Sequence, residues 1–513
     1  MAWSLEALNY YTRTLPDEKR TISLDRKLDI GLFEELSPNL QKSGFTPSDK
    51  IEFRIKTAIP LRGGPFGENI DLPTGGTPAF TDVTVPLREV MDVATITKQA
   101  LERATGMPGS WGSAVDDAQN DMVNTSFKEL LQYCAVGNGS GFLGKIHSAV
   151  ACSDAAGTEG AGNYIKFYLD NDYATCGFDG AHLCQVGMSV EVADSTGATY
   201  TVTDWSTCGG HDLARLVITN IVRKPRQNQA FTAVDNTDAD YIICACYSTA
   251  GALTSSATLQ GGVSDGDLLY RYGSISLGID TTYYTPFPRG LFYFLNGGHN
   301  GAGAQLLTAQ CGSSSTAIYT AYCGKTRLSY PSLMARIYQG GQSGYLSGSG
   351  TAGTPETWDL SDVTDAMIAI EEGTGKGKVN LLMMNKQMGL CLGRKTKTEN
   401  STIVMVGNTS AANAQAVALP RIPKTIEGPD GQPVKVIINK MWPNNSIGMF
   451  DTRDIVLAQK GSFDYLNLYG GAWGPTKNDR KANFEAFYGG MMQMYAYRLD
   501  NMALMQDLAD NIS

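Results

Sequence analysis

Apolar and polar residues alternate from Ile51 onward, with Ile51, Phe53 and Ile55 set against Glu52, Arg54 and Lys56. The same alternation returns with Val83, Val85 and Leu87 against Asp82, Thr84 and Arg88. Period two places successive side chains on opposite faces of a strand, so two strands are predicted. The intervening PLRGGPFGENIDLPTGGTPAF is rich in Gly and Pro, which excludes a helix and supplies turns. The segment reads as a long hairpin over residues 51–92. Two strands with a long tip have little core of their own and are marginal in water, so the hairpin needs support from elsewhere.

Further on the period changes. Val115, Ala118, Met122, Val123, Phe127, Leu130, Leu131 and Cys134 recur every three or four residues behind Ser113, a good N-cap residue. The spacing predicts a helix of about 22 residues, roughly 33 Å long. It should end at Gly137, in AVGNGSGFLG, as helices do on glycine. Between about residues 150 and 350 short alternating runs return (Met188, Val190 and Val192; Tyr200 and Val202), separated by turn signals such as DSTG at Asp194 to Gly197. The tract GGQSGYLSGSGTAGTP, ending at Pro355, is a linker by composition. Then Leu360, Val363, Met367 and Ile370 keep helical spacing. A strand at Val379–Met384 and a helix capped by Asn385 follow, and VKVIINKMW and ANFEAFYGGMMQMYAYRLDN read as strands.

The expected architecture is α+β. Its parts are an N-terminal arm (1–50), an extended loop (51–92), a first domain holding the long helix (93–145), a β-rich insertion (146–350), a second domain (351–455) and closing strands (456–513).

At 513 residues, with 42% hydrophobic and 18% charged residues, the chain is ordered and long enough for more than one core. Its 57 glycines and 4 histidines favour turn-rich β structure over catalytic chemistry. A net charge of −10 argues against a protein that grips nucleic acid through its phosphates. The N-terminal segment has no basic stretch followed by an apolar core, and no run of about 18 apolar residues occurs, so folding in a cytoplasm without membrane insertion is expected.

Several local motifs invite sharper readings. Gly139–Gly144 satisfies G-x-G-x-x-G but follows a helix, whereas a dinucleotide site must open one. Gly262–Gly266 satisfies G-x-S-x-G around Ser264, without a helix after it, and reads as a polar turn. Gly373–Lys378 lacks P-loop spacing and reads as a solvated turn. Cys176, His182, Cys184, Cys208 and His211 match no established metal-ligand spacing, so buried structural cysteines are expected, with disulfides formed after release and a metal site as the alternatives. The C-terminal methionines (Met491, Met492, Met494, Met502 and Met505) read as core filler. No catalytic, cofactor-binding or metal-binding residues are expected.

Taken in order, the arm, the hairpin with its LRGG and DLPTGG turns, and the helix closing on AVGNGSGFLG resemble the N-terminal arm, extended loop and spine helix of tailed-bacteriophage major capsid proteins, the Hong Kong 97-like fold. WDLSDVTDAMIAIEEGTGKGKVNLLMMNKQMGLCLG is similar to that family's axial domain, and KNDRKANFEAFYGGMMQMYAYRLDNMALMQDL to its closing peripheral-domain strands. The β-rich insertion is a departure from the simplest members. The resemblance implies a structural, non-enzymatic virion protein, assembled in the host cytoplasm as hexamers and pentamers into an icosahedral shell around the phage genome. It implies no cofactor, no sequence-specific DNA binding and no membrane. The partners implied are copies of the chain itself, a separate scaffolding protein, a portal and decoration proteins. Leu61, Arg62, Phe66, Glu68, Leu72 and Phe80 would make inter-subunit contacts.

Some members crosslink through an extended-loop lysine. None occurs here from Thr57 to Thr97, so no crosslink is expected, Lys56 at the loop base being the remaining candidate. The alternatives are a β-rich carbohydrate-active enzyme or binding module, which would need two facing carboxylates, and another virion protein of tail or decoration type.

Overall fold

The structure is a computed structural model that describes residues 2–3, 32, 36, 39–58, 79–97, 122, 127–170, 181–193, 213–223, 239–248, 253, 255, 263–274, 287–295, 321–338, 357–374, 377–399, 422–443, 445–465, 474–475, 483–506 and 508. In chain order the strands begin with β1 (Ala2–Trp3), β2 (Leu40–Gln41), β3 (Lys50–Ala58), β4 (Ala79–Pro86) and β5 (Arg88–Thr97), followed by helix α1 (Phe127–Val136). Next come β6 (Phe142–Cys152), β7 (Tyr164–Leu169), β8 (Ser189–Ala193), β9 (Leu213–Val222), β10 (Tyr241–Ser248) and β11 (Leu268–Arg271). A short helix α2 (Leu291–Leu295) precedes β12 (Ala321–Tyr322), β13 (Lys325–Thr326) and β14 (Arg336–Tyr338). Then follow α3 (Leu360–Thr374), β15 (Leu381–Met384), α4 (Lys386–Glu399), β16 (Thr425–Glu427), β17 (Pro433–Ile438) and β18 (Ile447–Phe450). The last strands are β19 (Ile455–Tyr465), β20 (Gly474–Pro475), β21 (Asn483–Ala496) and β22 (Ala503–Met505).

The chain divides into two compact units. The first comprises residues 1–51, 86–135 and 456–495. Its six-stranded sheet runs β1-β5-β21-β19-β2, with β20 on β21. β5 and β21 pair antiparallel over ten positions, from Asn483 opposite Thr97 to Met492 opposite Arg88. Directly opposed residues share a face. One face therefore carries Val90, Ala486 and Met492, all buried, together with Tyr488. Helix α1 covers it: the Phe127 ring meets Tyr488 edge-on at 4.9 Å and Phe463 at 5.1 Å. Phe127, Leu130, Tyr133 and Cys134 are all buried, at the helical spacing the sequence shows. Apart from buried Met122, the upstream part of the predicted helix lies outside the described residues.

The second unit comprises residues 52–85, 136–455 and 496–513. Strands β6 to β11 form a closed barrel in the order β10-β7-β6-β11-β8-β9, with antiparallel neighbours throughout. The alternation of Val190 and Val192, with Ile165, Phe167 and Leu169 and with Ile242, Cys244 and Cys246, supplies buried positions to this barrel. Closure leaves no sheet edge, which suits short strands that alone would be marginal.

The rest of the unit is built on a second six-stranded sheet, β14-β22-β18-β15-β17-β16. Val363, Met367 and Ile370 of α3 and Met388 and Leu392 of α4 pack with Leu382, Met384, Val434 and Met449 of the sheet. At the start of α4 the Asn385 side chain accepts the Met388 N–H at 2.8 Å, the N-cap expected from sequence. At the start of α3, the Asp362 carboxylate reaches back to the Asp359 N–H at 2.6 Å.

Candidate assembly surfaces

β3 and β4 form a two-stranded ribbon that joins no other sheet among the described residues. Alternation gives it two unlike faces. Ile51, Ile55, Val83 and Val85 are buried, while Glu52, Arg54, Phe80, Asp82 and Thr84 are exposed. The sequence suggests a hairpin supported by a neighbouring molecule; instead, the inward face of its base is already covered by the chain's own residues. Part of that cover is Tyr497, whose ring meets Phe53 edge-on at 5.3 Å. The physical reason is area: four branched aliphatic side chains left in water would cost roughly 1.5–3 kcal/mol each.

On the outward face the Arg54 guanidinium forks onto Asp82, with Nε donating to Oδ1 at 2.6 Å and Nη2 to Oδ2 at 3.3 Å. This bond holds the Asp82 carboxyl below the usual carboxylate range. Both side chains are about two-thirds exposed, so the pair orients the ribbon surface more than it stabilises the fold. Phe80 is 53% exposed beside them on β4. Of the predicted contact residues, Phe80 is therefore on the outward face. Leu61, Arg62, Phe66, Glu68 and Leu72 lie outside the described residues. At Leu87 the chain changes partner: Arg88 onward pairs with β21.

A second surface was not anticipated. The other face of the β5–β21 pair carries Glu89, Met91 and Val93, with Phe487 and Met491 opposite Val93 and Glu89. Met91 and Val93 are 39% and 43% exposed, and Phe487 and Met491 are half-buried. Gly489 sits between them, and a Cβ there would lie 2.1 Å from the Val90 carbonyl oxygen, so only glycine allows this close strand approach. Met492, Met494, Met502 and Met505 are buried as expected, whereas Met491 belongs to this outer face. Alternation separates the two faces of β21 in the sequence, but which face a helix covers is not written there.

The motif-like segments take bland positions. Gly139–Gly144 runs from the end of α1 into β6, so it follows a helix and opens a strand. Gly141, at φ +86°, could take no side chain, since a Cβ would fall 2.0 Å from the Ser274 Oγ. Ser264 lies in a turn before β11, its N–H donating to Asp267 at 2.8 Å. Lys378 pairs with Asp430 at the surface. Among the described residues, no three His, Cys, Asp or Glu side chains come together as a metal site. His182 and Cys184 are buried, and Cys176, Cys208 and His211 lie outside the described residues. Burial pushes the Cys184 thiol pKa up to about 12. No described helix is long and apolar enough to cross a membrane.

No protein-family model matches the sequence, and no curated protein is similar to it. Solved structures do align along it. The cyanophage A-1(L) capsid asymmetric unit is 11% identical, with 99% of each chain covered and a TM-score of 0.44. The capsid of the native GTA particle is 9% identical over 96% of each chain, with a TM-score of 0.41. The capsid of Myoviridae phage XM1 is 9% identical, covering 92% of this chain and 90% of that one, with a TM-score of 0.34.

Proposed function

We propose that the chain is the structural subunit of a tailed-bacteriophage capsid, built as a Hong Kong 97-like α+β subunit. In this reading, hexamers and pentamers close into an icosahedral shell around the genome. The observation that carries the proposal is the β3–β4 ribbon. Among the described residues it joins no other sheet, anchors one face in its own chain, and presents Phe80 and the Arg54–Asp82 pair outward. A ribbon anchored at its base and uncovered on its outer face is suited to lie across an adjacent copy. That is a heterologous contact, which repeats round a ring and closes it. Residues 51–92 then act as the extended loop, with Leu61, Arg62, Phe66, Glu68, Leu72 and Phe80 against the neighbour. The barrel and the β15 sheet correspond to the insertion and axial domains, and the α1 and β21 layer to the peripheral domain. The virion is the site of action, after assembly in the host cytoplasm with a scaffolding protein, a portal and decoration proteins. The described residues give no observation that favours the carbohydrate-active alternative.

The test is to express the chain with and without candidate scaffolding proteins and to image the products by electron microscopy. Closed polyhedral particles are expected for the wild type. Phe80→Asp should leave the circular dichroism and melting of the unassembled subunit unchanged while abolishing closed particles. A wild-type chain that stays monomeric in every combination would overturn the shell reading; normal particles from Phe80→Asp would remove the ribbon from it.

A further inference from the structure

Two segments of the second unit come together around three carboxylates. A short turn, Thr452–Asp454, follows β18, and residues 497–501 lead into β22. The Tyr497 N–H donates to the Asp454 carbonyl at 3.0 Å, which fixes the two segments side by side. Two of the carboxylates each have a guanidinium of their own. Arg453 forks onto Asp451, Nε to Oδ1 at 2.8 Å and Nη2 to Oδ2 at 2.6 Å. Arg498 forks onto Asp500 in the same way, at 3.0 Å and 2.6 Å. The third carboxylate, Asp454, has no such partner among the described residues; it accepts instead from Asn501 Nδ2, a neutral amide. Three carboxylates against two guanidiniums leave one negative charge over, at Asp454. Burial raises the Asp454 pKa above its ordinary value, and Asp451 and Asp500 push the same way, against the Asn501 bond and Arg498.

Asn501 gives an independent sign. It is 3% exposed, and its Oδ1 is a buried acceptor with no hydrogen-bond partner among the described residues. Buried oxygens are seldom left so, because an unmade hydrogen bond is costly. The amide is aimed at the Asp454 carboxylate and held there by one bond. Its two ends have nearly the same shape, so a half-turn about its last side-chain bond exchanges Nδ2 for Oδ1 beside Asp454. Two oxygens then face each other, an arrangement that calls for a cation between them.

We propose that Asp454 and Asn501 hold a calcium ion between the turn after β18 and the segment before β22. The carboxylate supplies the charge and the amide a neutral oxygen. Asp454 is only half-buried, so water reaches the remaining positions. Calcium suits this set: it takes about six to eight oxygens in flexible geometry, from carboxylates, amides and water alike, whereas magnesium demands a near-ideal octahedron. Asp451 and Asp500 are taken up by their arginines, which leaves one carboxylate for the ion. A site with so little charge binds weakly, with a Kd on the order of 10⁻⁴–10⁻³ M. The bound ion ties together two segments that only the folded chain brings close, so it stabilises the folded state.

Melting of the full chain, followed by circular dichroism over a series of calcium chloride concentrations, tests this. Parallel series use magnesium chloride and sodium chloride at matched ionic strength. Calcium should raise the melting temperature beyond either of the other salts, and the rise gives the affinity. Asp454→Asn keeps the shape and removes the charge, and should lose the calcium-specific rise. Asn501→Asp places a second carboxylate beside the first. Without calcium it should melt below the wild type, through like-charge repulsion, and it should bind calcium about tenfold more tightly. An amide with a purely structural role would produce the first of these shifts without the second. Equal rises in all three salts, a calcium-specific rise that survives in Asp454→Asn, or an Asn501→Asp chain with no gain in calcium affinity would each overturn the proposal.

Discussion

His182 should make the second unit acid-sensitive. Its side chain is buried where the turn after residue 180 meets the segment following β17, with Nδ1 3.5 Å from the Lys440 carbonyl oxygen. Burial, followed by the nearby Arg223 guanidinium, lowers its pKa from 6.5 to about 4. Arg223 is fixed there, donating to the Ala181 carbonyl at 3.2 Å. In the unfolded chain the imidazole protonates near its ordinary value. Between these two values the unfolded state therefore binds more protons, and stability falls as pH falls. The contribution is fully present above pH 6.5 and is lost on the way down to 4. Linkage turns this difference into a loss of about 1 kcal/mol at pH 5.5 and about 2 kcal/mol at pH 4.5, relative to neutral pH. The assay is urea unfolding at pH 7.0, 5.5 and 4.5 for wild type and His182→Gln. The variant differs from the wild type only at this side chain, so the difference between the two pH series reads the contribution of His182. The wild type should lose about 2 kcal/mol more than the variant at pH 4.5. Parallel losses in the two proteins would refute the reasoning, because the buried imidazole would then not be the group taking up the proton.

Three further outcomes follow from the same structure. Gly448→Ala should destabilise the β18 sheet by about 1–3 kcal/mol in denaturant unfolding, because the new Cβ would lie 2.5 Å from the Trp442 ring and 2.7 Å from Phe450, both buried. Asn385→Ala should cost about 1 kcal/mol by removing the α4 N-cap, with Asn385→Asp restoring most of it. Phe127→Ala should cost about 3–5 kcal/mol in the first unit, read by tyrosine and tryptophan fluorescence during unfolding, since it empties the contact with Tyr488 and Phe463.

Strands and helices with a strong period were legible from sequence because period is a local property. The alternation at Ile51–Ile55 and Val83–Val85 marks both the ribbon strands and the faces they bury, and Val363, Met367 and Ile370 mark the buried stripe of α3. Asn385 was legible as a cap because an N-cap needs only its own side chain and the next turn. Glycine-rich motifs could be set aside in advance because their flanking elements were readable.

Pairings between distant segments were decided only by the tertiary structure. Barrel closure depends on β7 meeting β10 and on β8 meeting β9, contacts whose order along the chain no local pattern encodes. β14 lies parallel to β22 although more than a hundred and fifty residues separate Arg336 from Ala503. The outer face of β5 and β21 is exposed because α1 covers the opposite one, and the Tyr322 hydroxyl on β12 meets the Ala496 backbone although more than a hundred and seventy residues separate them. Sequence fixes which side chains share a face; burial depends on what else folds against that face, and that is a sum over the whole chain.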